Sequence, residues 1–448
     1  MNVTKSKDES SVLHLLMRRL VEKEASVGIV GLGYVGLPLA IAFSRKFRVV
    51  GLDINEKRVR ELSSGIDATD SVSAEDLNSK NLSLTTDAKK LRDCAVIIVA
   101  VPTPVTNQHQ PDFTPLIKAS ETIAQNMSRG VYVVYESTVY PGATEECCIP
   151  VLEKVSGCKA GVDFKVGYSP ERINPGDQIN RLESIVKIVS GMDDDSCEAL
   201  YQLYGSILLN GVHRAPNMKV AEAAKVFENA QRDVNIAAVN ELAFFCHKIG
   251  IDTNDVLDAC KTKWNFLGFQ PGLVGGHCIG VDPYYLIAKS LEISAEPAMT
   301  RAARSTNQNV ALFIADQVFK LLIRLKKASS DIRINLLGFT YKEDTPDIRN
   351  TQIARLVSEF HDAGCKVFIA DPLADPFEVK HEYGFTLTNY KDLPAADATI
   401  FAVPHKLFLN LTMDDWRSYC KAPPLIFDLK SSLDREIFET AGFHLWRL

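Results

Sequence analysis

SVGIVGLGYVGLPLAIAFSRKFRVVGLDIN, residues 26–55, runs an apolar strand into Gly31, Gly33 and Gly36, continues at helical period, and returns as a second strand ending at Asp53. The glycines permit a tight turn, close approach of a pyrophosphate, and close packing of helix on strand. The N-terminus of the helix favours phosphate charge, and an acid 22 residues after the first glycine accepts from ribose hydroxyls. A G-x-G-x-x-G alone is a weak signal, but here it has the strand, helix and acid that its mechanism requires. A carboxylate at position 53 repels a 2′-phosphate, which favours NAD over NADP.

Further strands follow at α/β spacing: CAVIIVAVPTP (94–104), VYVVYESTV (131–139) and FKVGYSPER (164–172). Each ends in small polar residues, where an open parallel sheet receives its ligand. From about 216 to 250 the pattern is helical, with no internal Gly or Pro until the end. That is far longer than a typical helix and is expected to span the molecule and build a subunit interface. A second helical stretch covers roughly 298–327, and KKASSD (326–331) reads as a linker. The first plan then recurs: IRINLLGF, CKVFIADP, ADATIFAVPH and PLIFDLKSS parallel the earlier strands. The second copy carries GFTYKEDTPDIRNT where the first has its glycine fingerprint. It therefore reads as a degenerate Rossmann-type domain for another phosphate-bearing ligand, with Lys342 and Arg349 favouring a nucleotide.

A chain of 448 residues calls for two or three domains. A net charge of −6 gives no electrostatic case for nucleic acid or an anionic membrane surface. The longest apolar run, CAVIIVAV, is too short to span a membrane. Residues 1–25 are too charged for a signal peptide. Leu13, Leu16, Met17, Leu20 and Val21 fall at helical spacing, which predicts a short amphipathic helix lying on the body. Ten cysteines without a C-x-x-C pair suggest neither a disulfide framework nor a zinc site, and fit a reducing cytoplasm. One of them, Cys278, lies within GLVGGHCIGVDPYY (272–285), a density of glycine that marks sharp turning or close approach. It reads either as a nucleophile or as a small apolar filler.

G-L-G-Y-V-G-L-P, V-P-T-P, E-S-T-V, S-P-E-R, A-E-A-A-K-x-x-x-N and G-G-H-C-I-G-V-D-P-Y-Y together resemble the UDP-glucose/GDP-mannose dehydrogenase family in order and spacing. The variants SPERINPGD and KWNFLGFQPGLVGGHCIGVDPYYL are similar to its bacterial UDP-N-acetylhexosamine 6-dehydrogenases of the Vi-polysaccharide type. The resemblance implies an α/β fold of two Rossmann-like domains joined by a central helical dimerisation domain with a long helix. The expected boundaries are an N-terminal extension at 1–25, an NAD-binding domain at 26–212, a central domain at 213–328 and a C-terminal UDP-sugar-binding domain at 329–448.

It also implies a cytoplasmic homodimer that oxidises the C6 alcohol of UDP-N-acetylglucosamine to the uronate for surface polysaccharide synthesis, reducing two NAD. UDP-N-acetylgalactosamine, UDP-N-acetylmannosamine and UDP-glucose remain open as substrates. Four-electron oxidation needs a thiol, because a thiohemiacetal retains the intermediate aldehyde and a thioester follows from it. Cys278 matches the family's nucleophile, Lys225 the lysine that stabilises oxyanions, and Asp282 the carboxylate that activates water. Asn229 lies one helical turn from Lys225, Thr138 matches the residue near the hydrolytic water, and Glu171 a carboxylate at the substrate end.

For the cofactor the resemblance implies Gly31, Gly33, Tyr34, Val35, Gly36, Asp53, Arg58, Thr103, Ser137, Thr138 and, from the C-terminal domain, Arg349. For the substrate it implies Glu171, Arg172, Lys225, Asn229, Phe269, Gly272, Gly275, Tyr341 and Lys342. Several relatives carry a second glutamate where Pro175 stands here, which leaves that acid without a counterpart. His277 reads as a pocket-shaping residue, and Cys147–Cys148 as helix packing. Tyr284 and Tyr285 read equally as site lining or core. A two-electron hydroxyacid dehydrogenase would need neither the thiol nor residues 330–448. A non-catalytic NAD-binding scaffold would not need Lys225, Asn229, Cys278 and Asp282 together.

Overall fold

The computed structural model describes residues 9–69, 71–106, 108–173, 182–327 and 331–448, the side chains of 9–14 and 183 excepted. Pro175 and residues 328–330 of the expected linker lie outside the described residues. The chain forms two compact units: Met1–Glu228 with Tyr284–Ser294, and Asn229–Pro283 with Ala295–Leu448.

The first unit is built on eight strands: β1 (Ser26–Val30), β2 (Val49–Leu52), β3 (Leu82–Thr85), β4 (Cys94–Val99), β5 (Tyr132–Tyr135), β6 (Lys165–Tyr168), β7 (Lys187–Gly191) and β8 (Val212–Arg214). Their order is β3-β2-β1-β4-β5-β6-β7-β8. All neighbouring pairs are parallel except β6 with β7. The order reverses between β1 and β4, so the glycine turn after β1 and the V-P-T-P turn after β4 flank the crevice where a doubly wound sheet binds its ligand. In β4, Val96, Ile97, Ile98 and Val99 are all fully buried, as a strand covered on both faces requires. Each such side chain stabilises the fold by about 1.5–3 kcal/mol.

The N-terminal helix, Glu9–Val21, buries Leu16 and Leu20 in this core with Met17 partly covered. Val21 is 61% exposed, so the apolar stripe is narrower than its spacing predicts. The sequence reading also missed β7, and β3 and β8, which are short and only partly buried.

The second unit contains a parallel sheet of β9 (Arg333–Leu337), β10 (Lys366–Ala370), β11 (Ala398–Phe401), β12 (Leu425–Asp428) and β13 (His444–Arg447), in the order β10-β9-β11-β12-β13. The helix Ala298–Arg324 packs on it through Val310, Ile314, Val318 and Leu322. The helix Met218–Ile249 is continuous over 32 residues and carries the chain from the first unit into the second.

The plan of the first turn persists in reduced form. Gly338 follows β9 with φ +96°, as Gly31 follows β1 with φ +93°. Gly31 donates to Leu52 O and Gly338 to Ala370 O, 2.8 and 2.7 Å away. Asp371 ends β10 as Asp53 ends β2, but its side chain is fully buried against His405. A buried acid cannot receive a ribose, which fits a nucleotide domain of another kind.

Candidate active site

In the first unit the three glycines divide their roles by geometry. A Cβ on Gly36 would lie 1.8 Å from Gly31 O, whereas one on Gly33 would meet nothing within 4 Å. The helix Gly36–Ser44 starts at Val35 with no side-chain cap and no acid in its first turn. Open space at Gly33 and uncapped N–H groups fit a diphosphate. Tyr34 and Val35 are partly exposed at this turn. Asp53 accepts from Leu32 N at 2.8 Å and Asn55 N at 2.9 Å, which fixes the carboxylate beside the turn. Arg58 donates from Nε to Leu32 O at 3.0 Å and pairs with Asp67 at 2.8 Å, bracing the loop.

The turns after β4 and β5 are cross-linked. Thr103 Oγ1 donates to Thr138 O, and Ser137 Oγ to Val101 O, both at 2.7 Å. Tyr285, fully buried, donates to Thr103 O at 2.6 Å and stacks on Phe113, while Tyr284 stacks on His109. Both tyrosines are packing residues of this unit. Cys148 is buried and Cys147 lies 3.4 Å from Tyr140 Oη, as a helix-packing pair would. Glu171 accepts from Arg172 N and Ile173 N, each at 2.6 Å. The Arg172 guanidinium is engaged by Glu228 at 2.7 and 3.2 Å. Lys225 is 7% exposed, and no acidic side chain among the described residues forms an ion pair with it.

In the second unit the glycine loop around Cys278 is held at both ends. Gly272 N donates to Asn240 Oδ1 at 2.7 Å, and Asn240 Nδ2 returns a bond to Gly272 O at 3.1 Å. Asn240 also donates to Asn307, which donates to Asp233, 2.8 and 2.7 Å away. Arg304 pairs with Asp233 at 3.3 Å and donates to Ile279 O at 3.2 Å, directly after the cysteine. Burial pushes the Asp233 carboxyl up, against the pull of Arg304.

Between these ends, Gly276 donates to Arg349 O, and Asn350 Nδ2 to Gly276 O, both at 3.2 Å. Cβ atoms on Gly275 and Gly276 would strike Tyr341 at 3.0 and 2.9 Å, so those glycines admit that ring. Asp282 N donates to Cys278 O at 2.8 Å, and Asn229 Nδ2 donates to the Asp282 carboxylate. Cys278, Asp282, Asn229, Gly272, Gly275 and Tyr341 therefore form one neighbourhood.

A narrow cleft lined by Gly275, Tyr341, Glu343, Gln352 and Lys430 opens beside it. Lys342 is partly exposed, its carbonyl accepting from Thr340 Oγ1 at 2.9 Å. The Arg349 guanidinium is held by Asp347 at 2.6 Å, and His277 Nδ1 lies 3.9 Å from the same carboxylate. Phe269 is partly buried before the loop.

Family models of the UDP-glucose/GDP-mannose dehydrogenases match the chain in series: the NAD binding domain at residues 25–208, the central domain at 219–309 and the UDP binding domain at 335–435. The chain belongs to this dehydrogenase family. UDP-N-acetyl-D-glucosamine 6-dehydrogenases of Pseudomonas aeruginosa and Salmonella typhi are each 47% identical to it, over 92% of this chain and 98% and 97% of theirs. The UDP-D-ManNAc dehydrogenase structure from Pyrococcus horikoshii superposes with a TM-score of 0.85 at 29% identity, covering 94% of this chain and 98% of that one. As a member of the family, the protein is an NAD-dependent UDP-sugar dehydrogenase, and NAD is its cofactor.

Sequence reasoning missed the dehydrogenase's supporting residues: Glu136, Lys187, Asp233, Asn240, Arg304 and Asn307. Each is buried and polar within a strand, helix or turn. The only signal for them was a polar residue interrupting an otherwise apolar face.

Proposed function

We propose that this dehydrogenase oxidises the C6 alcohol of UDP-N-acetylglucosamine to the carboxylate, through a thioester on Cys278. The 47% identity, over 92% of the chain, to two enzymes named for that sugar carries the choice. The covalent route is supported by the Cys278 loop, whose backbone leads to an Asp282 carboxylate already oriented by Asn229.

Bound NAD supplies a hydride acceptor, used twice. The Gly31–Gly36 turn and the helix after it would hold its diphosphate, and Asp53 its ribose. Ser137 and Thr103 would line the same crevice. Removal of a hydride and a proton from the alcohol gives an aldehyde. The Cys278 thiolate adds to that carbonyl carbon, forming a C–S bond and an oxyanion that the compact Lys225 ammonium stabilises. Loss of the second hydride leaves a thioester. Water, deprotonated through Asp282, attacks it, the C–S bond breaks, and the acid and the thiol are released. Glu171 serves as a carboxylate at the substrate end, and Tyr341, Lys342 and the cleft beside Lys430 recognise the UDP moiety.

The cysteines of the chain are all free, which supports work in a reducing cytoplasm. Phe245 and Ile249 on the long helix, with Trp264 and Leu267 after it, are exposed apolar residues that support a homodimer through the central helices. Its product would serve surface polysaccharide synthesis. The test is a side-by-side assay of UDP-sugars with NAD. UDP-N-acetylglucosamine is expected to exceed UDP-glucose in kcat/KM by at least about tenfold, the cost of roughly one unpaired buried polar group. Two NADH should form per sugar. A UDP-glucose preference would overturn the sugar, and one NADH per sugar the four-electron route. Cys278→Ala should abolish acid formation while NAD still binds.

A further inference from the structure

Lys187 opens β7, and its side chain is fully buried in the first unit. An ammonium without water persists only where its three protons all find acceptors. They do here: Glu136 Oε2 at 2.8 Å, Pro170 O at 3.2 Å and Glu171 Oε2 at 3.3 Å. These acceptors come from two separate turns. Glu136 opens E-S-T-V, directly after β5, and Pro170 and Glu171 belong to S-P-E, after β6. The first turn carries Ser137 and Thr138, and the second presents Glu171.

We propose that Lys187 is a positioning residue for the reaction, fixing Glu171 at the substrate end and holding the Thr138 turn in register with it. This rests on the roles given above to Glu171 and Thr138. Charge balance needs only one carboxylate, and backbone carbonyls could take the other two protons; here a second carboxylate, from a different turn, takes one of them. The lysine makes a tripod, and the remaining oxygens are also fixed. Glu171 Oε1 is held by the N–H groups of Arg172 and Ile173, and Glu136 Oε1 accepts from Tyr204 Oη. The charged and titratable groups around the ammonium are Glu136 from the β5 turn, Glu171 from the β6 turn and Tyr204 from the helix Asp194–Gly205. The Arg172–Glu228 pair stands next to Glu171 in the chain. Burial pushes the Glu136 carboxyl up to about 7 in spite of the lysine. Burial works against the charge on Lys187, yet Glu136 and Glu171 hold its pKa above the usual value. One cation thus serves two acids from two turns.

The experiment uses the full chain with UDP-N-acetylglucosamine and NAD, and compares Lys187→Met, Lys187→Arg and Glu136→Gln with the wild type. For Lys187→Met, kcat should fall about tenfold or more. The acid limb of its kcat–pH profile should move up by about one unit, because a carboxylate that loses its cation is harder to ionise. Lys187→Arg should restore most of the rate and the profile. Glu136→Gln leaves the lysine to Glu171 alone, and its acid limb should move down. A Lys187→Met enzyme whose profile and kcat superpose on the wild type overturns the proposal. Should that variant fail to fold, an unmoved acid limb in Glu136→Gln overturns it instead. If the wild type forms NADH with no UDP-sugar, the functional reading falls and takes this inference with it.

Discussion

A methyl group separates two kinds of glycine in the first turn. Gly36→Ala would drive Cβ to within 1.8 Å of Gly31 O, so backbone must move. The expected cost is about 1–3 kcal/mol, read as a lower denaturation midpoint. Gly33→Ala meets no protein atom, so the variant should melt like the wild type and lose NAD affinity in a titration. Asp53→Ala should narrow the preference for NAD over NADP, measured as a ratio of specificity constants. Lys225→Ala should slow turnover by about 10² to 10³, the scale for one oxyanion donor. These residues were legible in the sequence because their chemistry restricts both type and spacing. Lys187 was not, because its partners lie 16 and 51 positions away and no local rule connects them.

Between the residue and the fold stands the Cys278 loop, whose glycines cannot hold it by side chains. The clamp comes from two helices, through Asn240 at Gly272 and Arg304 at Ile279. Asn240→Ala would leave the buried Gly272 N–H and the Asn307 amide short of partners, at about 1–3 kcal/mol for each. The second unit should melt earlier, and the rate of Cys278 alkylation by iodoacetamide should change while NAD affinity holds. An unchanged alkylation rate would show that the loop keeps its shape unaided. The long helix, the main strands and the repeat of the β plan were readable from periodicity and turn residues. The short strands β3, β8 and β13 and the clamp were not, because partly buried strands and buried polar contacts leave little pattern. The basic residues Arg172, Arg58 and Arg349 were legible as charges, but their engagement by Glu228, Asp67 and Asp347 was not.

Across the whole molecule, stability should depend on pH in opposite senses at different sites. Burial alone would raise Asp371, but hydrogen bonding and charge from His405, with backbone N–H groups, hold it at about 2. Burial is likewise outweighed at Asp67 by bonds from Thr69 and Ser71, which hold it at about 2. A carboxyl lowered on folding stabilises the protein above its ordinary value of 3.8, and that stabilisation is lost as pH falls toward 2. Each contributes about 2 kcal/mol by this linkage. Glu136 is raised to about 7, so its contribution is present below 4.5 and is lost as pH rises to 7. Denaturation midpoints should therefore drop steeply below pH 4, and Asp371→Asn should flatten that drop. Glu136→Gln should flatten the decline between 4.5 and 7.

The first unit is not contiguous: it closes only when Tyr284–Ser294 returns to it. Tyr285 in that segment donates to Thr103 O and Pro104 O and covers Phe113. A nascent chain that has left the ribosome only as far as residue 230 holds the whole first sheet but lacks this tyrosine. Its V-P-T-P turn, tied to the turn after β5, lacks the Tyr285 bonds while some fifty more residues are translated. The order in which the chain emerges thus sets when this turn gains its last support: after the whole first sheet has been made, and with the segment that follows the cysteine loop.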